Sequence, residues 1–212
     1  MNFYFRRGRP EQFWPWLTGA LTISRDDVSA IFRLAWMMSQ DSGEILNHIP
    51  NQPGLMKKYF SYLLGNQQLD DAGPVAVRVA ESADESDLPG LMRYCDRYAD
   101  GDPQRSLPVW NTLARRKLIP YQPLAPTTGQ FLTNSDFSVE PAKHGFDWNI
   151  PSVDGVVVTR SSESRGIRFE FSGDEPESCD LLTQRVPLIP GRTYQFTWRA
   201  EAEQGLQMAG MA

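Results

Sequence analysis

Four consecutive residues, Phe146, Asp147, Trp148 and Asn149, combine the side-chain types that proteins use to bind sugars. Flat aromatic faces pack against sugar rings, while amide and carboxylate groups form hydrogen bonds with hydroxyls. Aromatic residues also dominate the cores of β-sandwiches, so a packed strand is the alternative interpretation of the same segment. The sequence therefore predicts either a ligand site or part of a core at residues 146–149.

The titratable residues have no spacing that demands catalysis. His48 and His144 are the only histidines, and they lack the ligand spacing of a transition-metal site. Asp136, Asp147 and Glu170 follow no spacing that places two carboxylates at glycosidase separation. Neither a nucleophile elbow nor a phosphate-binding Gly-x-x-x-x-Gly-Lys-Ser/Thr motif occurs. We predict a protein that is not an enzyme and needs neither metal nor cofactor; a cryptic hydrolase using Asp136 or Asp147 is the alternative.

Four arginines in the first half of the chain provide a second candidate site, a cationic face for an acidic peptide. They are Arg93, Arg97, Arg115 and Arg116. A solvated helix surface is the alternative, since that is the usual environment of such side chains. The net charge of the whole chain is −5, which argues against nucleic acid as a partner.

Composition allows one large domain or two modest ones. The chain has 212 residues, of which 41% are apolar, and this is enough for a hydrophobic core. Cys95 and Cys179 are 84 residues apart (179 − 95) and lie in segments of different periodicity. We therefore expect two buried free thiols and no disulfide.

The N-terminus carries a charge pattern that faintly suggests a secretory signal. Arg6, Arg7 and Arg9 precede the apolar run 13–23. That run contains Pro15 and two tryptophans, lacks a clear small-residue cleavage site, and is too short to span a bilayer. We expect part of an amphipathic helix here, the remnant of an earlier repeat.

Residues 1–119 have the apolar spacing of helical hairpins, and two of the hairpins repeat. "PGLMKKYFSYLLG" at 53–65 aligns with "PGLMRYCDRYADG" at 89–101, and the pair Pro74-Val75 aligns with Pro108-Val109. Units of two helices with a period of 34–36 residues predict an α-solenoid, with 28–49 as a degraded preceding unit. Seven large apolar residues are expected to be mostly core: Trp36, Met37, Tyr59, Phe60, Tyr62, Met92 and Trp110.

One stretch in this region resembles a known repeat family. "GNQQLDDAGPVAVRVA" at 65–80 is similar to the turn and second helix of a tetratricopeptide repeat. The prolines of the second helices depart from the usual pattern. The resemblance implies a noncatalytic protein that binds another protein or a peptide through its helices.

A proline-rich segment and then a different periodicity follow. "PYQPLAPTTGQ" at 120–130 predicts a semi-rigid linker, or a loop packed on the next domain. From residue 131 the period becomes two, which predicts about six short strands and an antiparallel β-sandwich. The runs are "FLTNSDF", "FDWNI", "GVVVTR", "GIRFEFSG", "LLTQRV" and "TYQFTWRA". Trp198 lies on the periodic inner face of the last run and is expected in the core.

The β-rich part also carries a resemblance. Asn134-Ser135-Asp136-Phe137-Ser138, then Gly145 and Trp148, then "QRVPLIPGRTY" at 184–194 are similar to motifs of the jelly-roll carbohydrate-binding families 4 and 9. The resemblance covers residues 131 to about 203 and implies glycan binding. Ser138 stands where many members have an acidic calcium ligand, so we predict no calcium site.

A jelly roll needs about eight strands, and after residue 202 only "EQGLQMAGMA" follows. We therefore expect an open sheet edge, with a truncated or frameshifted product as the favoured explanation. Completion of the sheet by a partner or a second copy is the alternative.

These patterns predict an α+β protein of several parts: an N-terminal α-solenoid (1–119), a linker (120–130) and a partial antiparallel β-sandwich of jelly-roll type (131–212). The predicted function is a noncatalytic scaffold that binds a protein or peptide. Glycan binding is the alternative. The overall arrangement resembles uncharacterised bacterial repeat proteins that are often envelope-associated, and this resemblance alone suggests the envelope or periplasm.

Overall fold

The computed structural model describes residues 2–25, 27–161 and 166–202. Helices occupy the first part of the chain, and the second part combines irregular backbone with two small antiparallel sheets. The predicted α+β class is therefore confirmed, whereas the solenoid and the jelly-roll sandwich stay predictions. The segment "EQGLQMAGMA" lies outside the described residues.

Eight α-helices are present in these ranges, and five of them have proline at the first or second helical position. Proline is tolerated there because its missing N–H removes no intrahelical hydrogen bond. The helices are α1 (Asn2–Arg6), α2 (Pro10–Ile23), α3 (Ser29–Ser39), α4 (Ser42–His48), α5 (Pro53–Gly65), α6 (Gly73–Ser82), α7 (Leu88–Ala99) and α8 (Pro103–Arg115). None of these helices is long and apolar enough to cross a membrane.

The turn before α7 links the two repeated hairpins. Asp84 accepts hydrogen bonds from Ser86 N, and the Asp87 carboxylate accepts one from Asp84 N in return. Lys57 on α5 lies 2.6 Å from a carboxylate oxygen of each aspartate. The Lys57 ammonium lowers the pKa of Asp84 to about 2. An ion pair thus joins α5 to the turn that starts α7.

The core lies among the helices and contains most of the residues predicted for it. Tyr59, Phe60, Met92 and Trp110 are buried, whereas Met37 is 47% exposed. Trp36 and Tyr62 are half-buried and pack against the same core.

Both cysteines are free, as expected. Cys95 is buried on α7, and burial raises the pKa of its thiol. Cys179 is only half-buried, so the expectation of a buried thiol is wrong at that position.

The sheets are smaller than the sequence predicts. β1 (Trp148–Asn149) pairs with β4 (Thr183–Gln184), and β2 (Val156–Ser161) pairs with β3 (Gly166–Phe171), each antiparallel. The register of the second pair runs from Val156 opposite Phe171 to Ser161 opposite Gly166. Within the described residues β2 and β3 pair only with each other, which leaves both outer edges open.

Two of the six predicted strands are not formed. The runs 131–137 and 193–200 are irregular. Phe196 is 63% exposed and Trp198 is 55% exposed, so the prediction of Trp198 as a core residue is wrong. A strand needs a neighbouring backbone and a covering layer. The described residues provide neither for 193–200.

Candidate functional site

The segment around Phe146 packs into the helical core. Phe146 is fully buried, and its ring meets Trp110 of α8 edge to face, with centroids 5.8 Å apart. Tyr121, from the predicted linker, stacks on Trp110 at 5.5 Å. The faces of Phe146 therefore contact protein and not solvent.

Gly145 allows this close approach. Its φ is +56°, and a Cβ built at this position would lie 2.6 Å from Cζ3 of Trp110. Asp96 on α7 accepts a hydrogen bond of 2.6 Å from Gly145 N, and His144 Nδ1 lies 2.8 Å from the other oxygen of the same carboxylate. One carboxylate thus holds the loop against α7 and α8.

Asp147 is only 2% exposed and acts as an internal acceptor. Its Oδ2 accepts hydrogen bonds from the Tyr121 hydroxyl, at 2.6 Å, and from Ala142 N. Burial, with a further contribution from this bond to Asp147, raises the pKa of Tyr121. Two of the four predicted ligand-binding residues, Phe146 and Asp147, therefore face inward.

Trp148 and Asn149 form β1 and are half-buried. The indole Nε1 of Trp148 donates to Asn134 O at 3.0 Å, and the Phe137 ring lies 5.1 Å from the Trp148 ring. The four predicted residues are adjacent, but Phe146 and Asp147 are buried, so only Trp148 and Asn149 are accessible to a ligand. Sugar binding at this position stays a prediction.

Residues of the jelly-roll-like motif stabilise turns here. Asn134 exchanges two hydrogen bonds with the backbone of Val139, of 2.8 and 3.1 Å. Asp136 Oδ1 accepts from Ser138 N at 3.2 Å. One side-chain oxygen of each residue therefore accepts a hydrogen bond from a backbone N–H group.

Several buried oxygen atoms lie near β1 and β4. Within the described ranges Asp147 Oδ1, Thr133 Oγ1 and Gln184 Oε1 have no hydrogen-bond partner. Gln184 Nε2 donates to Thr133 O at 2.6 Å and to Phe146 O at 3.0 Å, so these groups are neighbours. A hard divalent cation prefers several charged oxygens, and this set contains one carboxylate. No group of three His, Cys, Asp or Glu residues that could hold a metal occurs in the part of the chain described.

The four predicted cationic residues do not share one environment. Arg116 donates to the carbonyl oxygens of Glu81 and Ala83, where it caps the end of α6. Arg115 donates to Thr112 Oγ1 at 2.9 Å. Arg93 and Arg97 lie one turn apart on exposed positions of α7, and Arg97 lies 3.8 Å from Asp70. Because α7 and α8 form a hairpin, Arg97 and Arg115 lie toward opposite ends of it.

A groove between the first turns of α6 and α8 was not predicted from the sequence. Its volume is about 300 Å³. Pro74 and Pro108, the aligned prolines of the two repeats, both line it, with Val77 between the helices and Tyr94 of α7 beneath. The recurrence of proline at aligned positions was the signal that could have indicated this groove.

Charged groups of both signs lie at the groove. Asp70 accepts a hydrogen bond of 2.6 Å from the Tyr98 hydroxyl, and the Arg105 guanidinium lies 5.0 Å from the Tyr98 ring centroid. Burial, together with the bond to Asp70, raises the pKa of Tyr98 to about 12. Pro108 is inside α8 and has no N–H to offer to the carbonyl of Gln104, which lines the groove. The groove thus combines apolar walls, a carboxylate and a guanidinium.

Comparison with known proteins adds no family to these observations. No family model matches the chain, and searches of curated proteins and of solved structures find no significant match. Inference about function therefore depends on the residues and their geometry.

Proposed function

We propose that the protein is a noncatalytic scaffold that binds a protein or peptide through its helical part. The observation that carries this proposal is the groove between α6 and α8, about 300 Å³ in volume. Paired helices stack because neither can bury its apolar face alone, and the surface between stacked pairs is where such proteins bind partners.

The chemistry of the groove favours a short extended peptide. Pro74, Val77 and Pro108 offer apolar contact, and rigid rings lose little entropy when a ligand packs on them. Asp70 and Arg105 provide charges of opposite sign, so we expect a ligand that carries a basic and an acidic group.

A displayed library of short peptides, selected on the full-length protein, tests this proposal. Selected sequences should share a basic and an acidic position, and calorimetry should measure their affinity. Val77→Arg fills the groove, and Arg105→Gln removes one of its charges, so each should weaken binding by about tenfold or more. Arg115→Gln is the matched control, because Arg115 lies outside the groove on the same helix. Peptides that bind both groove variants as tightly as the original protein would refute the proposal.

A further inference from the structure

α2 is apolar on two opposite faces. Phe13, Trp14, Leu17 and Leu21 form the buried face. Gln12, Trp16, Gly19 and Ile23 lie at spacings of 4, 3 and 4 residues on the other side of the helix, as the sequence numbering shows. At 100° per residue these four positions fall within about 60° of one another and on the side opposite the buried face. We call these four residues the outer face of α2.

The outer face is largely exposed to solvent, although the Tyr4 ring of α1 stacks on Trp16 with the ring centroids 6.4 Å apart. Trp16 is 58% exposed and Ile23 is 80% exposed. Gly19 lies between them, and a Cβ built on it would have no atom within 4 Å. A gap between two large side chains is what receives a knob from a neighbouring helix. Glycine inside a helix costs stability, so a packing role gives a reason for its presence here.

Glu11, Thr18 and Thr22 form a polar side of α2 that lies between its two apolar faces. The outer face has two large exposed apolar side chains, Trp16 and Ile23, which a packed partner would cover.

The charges around α2 identify what covers it. Arg6, Arg7 and Arg9 are exposed just before the helix, and none of them forms an ion pair with an acidic side chain in the described residues. This cluster is locally positive, although the whole chain has a net charge of −5. The partner must therefore be apolar along one stripe and negative at one end.

We propose that the outer face of α2 binds an amphipathic α-helix of another protein, with acidic residues at the end that meets Arg6, Arg7 and Arg9. The positive end of the α2 macrodipole lies next to these arginines, so an antiparallel partner, with its C-terminal end there, is favoured. The narrow stripe with a gap at Gly19 fits a helix better than the flat surface of a bilayer. The net negative charge of the chain also opposes approach to an anionic lipid surface.

This proposal rests on the proposed function only in assuming a noncatalytic protein that binds other proteins. It uses a surface separate from the groove between α6 and α8. The experiment therefore uses probes that do not involve the groove. Two designed peptides of about 15 residues, long enough to cover the nearly four turns of the 14-residue α2, share one Leu/Ala stripe. One has glutamates in its C-terminal turn, and the other has lysines there. Isothermal titration calorimetry of the full-length protein measures their binding, because its signal does not depend on Trp16.

The acidic peptide should bind, and the basic peptide should bind at least about tenfold more weakly. Trp16→Ala and Gly19→Leu should each weaken binding of the acidic peptide by about tenfold, the second by filling the gap. Gly19→Leu also raises helix propensity, so its loss of binding cannot result from unfolding. Met37→Ser is the control, because Met37 is an exposed apolar residue on α3, outside this face.

Three outcomes would overturn the proposal. The first is no binding of the acidic peptide up to roughly millimolar concentration. The second is binding to vesicles of anionic lipid that depends on Trp16 and the three arginines, in the absence of peptide binding. The third is a concentration-dependent dimer of the protein itself that Trp16→Ala abolishes. Val77→Arg should weaken binding at the groove but leave binding of the acidic peptide to the outer face of α2 unchanged. The two proposals can therefore fail independently.

Discussion

Gly145 is the residue at which the loop 141–147 comes closest to the helices. Its φ of +56° is left-handed, and Trp110 occupies the space of a side chain at this position. Two effects therefore oppose any other residue here: backbone strain and a clash with an indole in the core. Asp96 fixes the same residue through its N–H. The position thus decides whether Phe146 reaches the core.

Gly145→Ala should destabilise the protein by about 2–4 kcal/mol, as the sum of left-handed strain and overpacking against Trp110. Gly8→Ala is a matched control, because Gly8 has φ +58° and open space at its Cβ position. It should cost only the strain, about 1–2 kcal/mol. Urea denaturation followed by circular dichroism measures both. Equal losses of unfolding free energy for the two variants would show that the Trp110 ring can move aside without destabilising the protein.

Two tryptophans test where the core ends. Trp110 is fully buried and Trp198 is 55% exposed. Trp110→Ala should cost about 3–5 kcal/mol of unfolding free energy, because it leaves a cavity. Trp198→Ala should change it by no more than about 0.5 kcal/mol. A large loss for Trp198→Ala would restore the sequence-based expectation that this residue lies in a sandwich core.

The composition of the site could be predicted from the sequence, but not its orientation. Phe146 and Asp147 have the residue types of a sugar site and equally those of a buried contact. The choice depends on Trp110 and Tyr121, which are 36 and 25 residues from Phe146 along the chain (146 − 110 and 146 − 121). No local pattern encodes such distant contacts, so the sequence left both interpretations open. The contacts with Trp110 and Tyr121 show that Phe146 and Asp147 are buried.

At the level of elements, helices could be predicted far better than strands. Proline at the first turn and apolar spacing of three and four residues are local signals, and α5, α7 and α8 each have proline at the first or second helical position. A strand depends on a partner that can be distant. "GIRFEF" finds one in β2, whereas "TYQFTWRA" has the same alternation and forms no strand.

The predicted linker, 120–130, is better described as a packed connection. Tyr121 and Leu124 are buried. Asn111 on α8 exchanges hydrogen bonds with the backbone of Leu124, at 2.8 and 2.7 Å. The three prolines of the segment suppress helix formation, as predicted, but they do not keep the segment away from the helices. The sequence suggested a loop packed on the next domain, whereas Tyr121 and Leu124 contact the preceding helix α8.

Buried tyrosines on α5, α7 and the connection should make the protein sensitive to alkali. Burial raises the pKa values of Tyr59, Tyr94 and Tyr121, and it raises that of Tyr98 to about 12. In the unfolded chain these groups ionise near pH 10. Their contribution is fully present below pH 10 and is lost as the pH rises through the folded pKa values.

Above pH 10 the unfolding free energy should therefore fall by about 1.4 kcal/mol per pH unit for each tyrosine that stays protonated in the folded state. Absorbance of tyrosinate and circular dichroism, recorded together against pH, measure this effect. Ionisation of the four residues should coincide with loss of helix. Their ionisation near pH 10 in a chain that keeps its helical signal would contradict the prediction.

At the scale of the molecule, contacts cross the boundaries that periodicity suggests. Phe146 belongs to the helical core, and Arg185 pairs with Asp100 at the end of α7. The Asp96 carboxylate binds the loop at His144 and Gly145. The periodicity of the sequence separates a helical part from a β-rich part. The buried contacts cross that boundary, because residues of the second part pack against helices of the first. We therefore expect a folding unit that extends beyond residue 119 to about residue 150.

Two truncated chains, 1–125 and 1–150, test this expectation. The longer chain keeps Phe146 on Trp110, whereas the shorter one exposes the Trp110 ring. The 1–150 chain should be more stable by at least about 2 kcal/mol, the value of burying one large apolar side chain. Urea denaturation of both chains measures the difference. Phe146→Ala in the full-length protein is the control, and it should cost about 3–5 kcal/mol. Equal stability of the two truncated chains would mean that residues 126–150 contribute nothing to the helical unit, which would then end by residue 125.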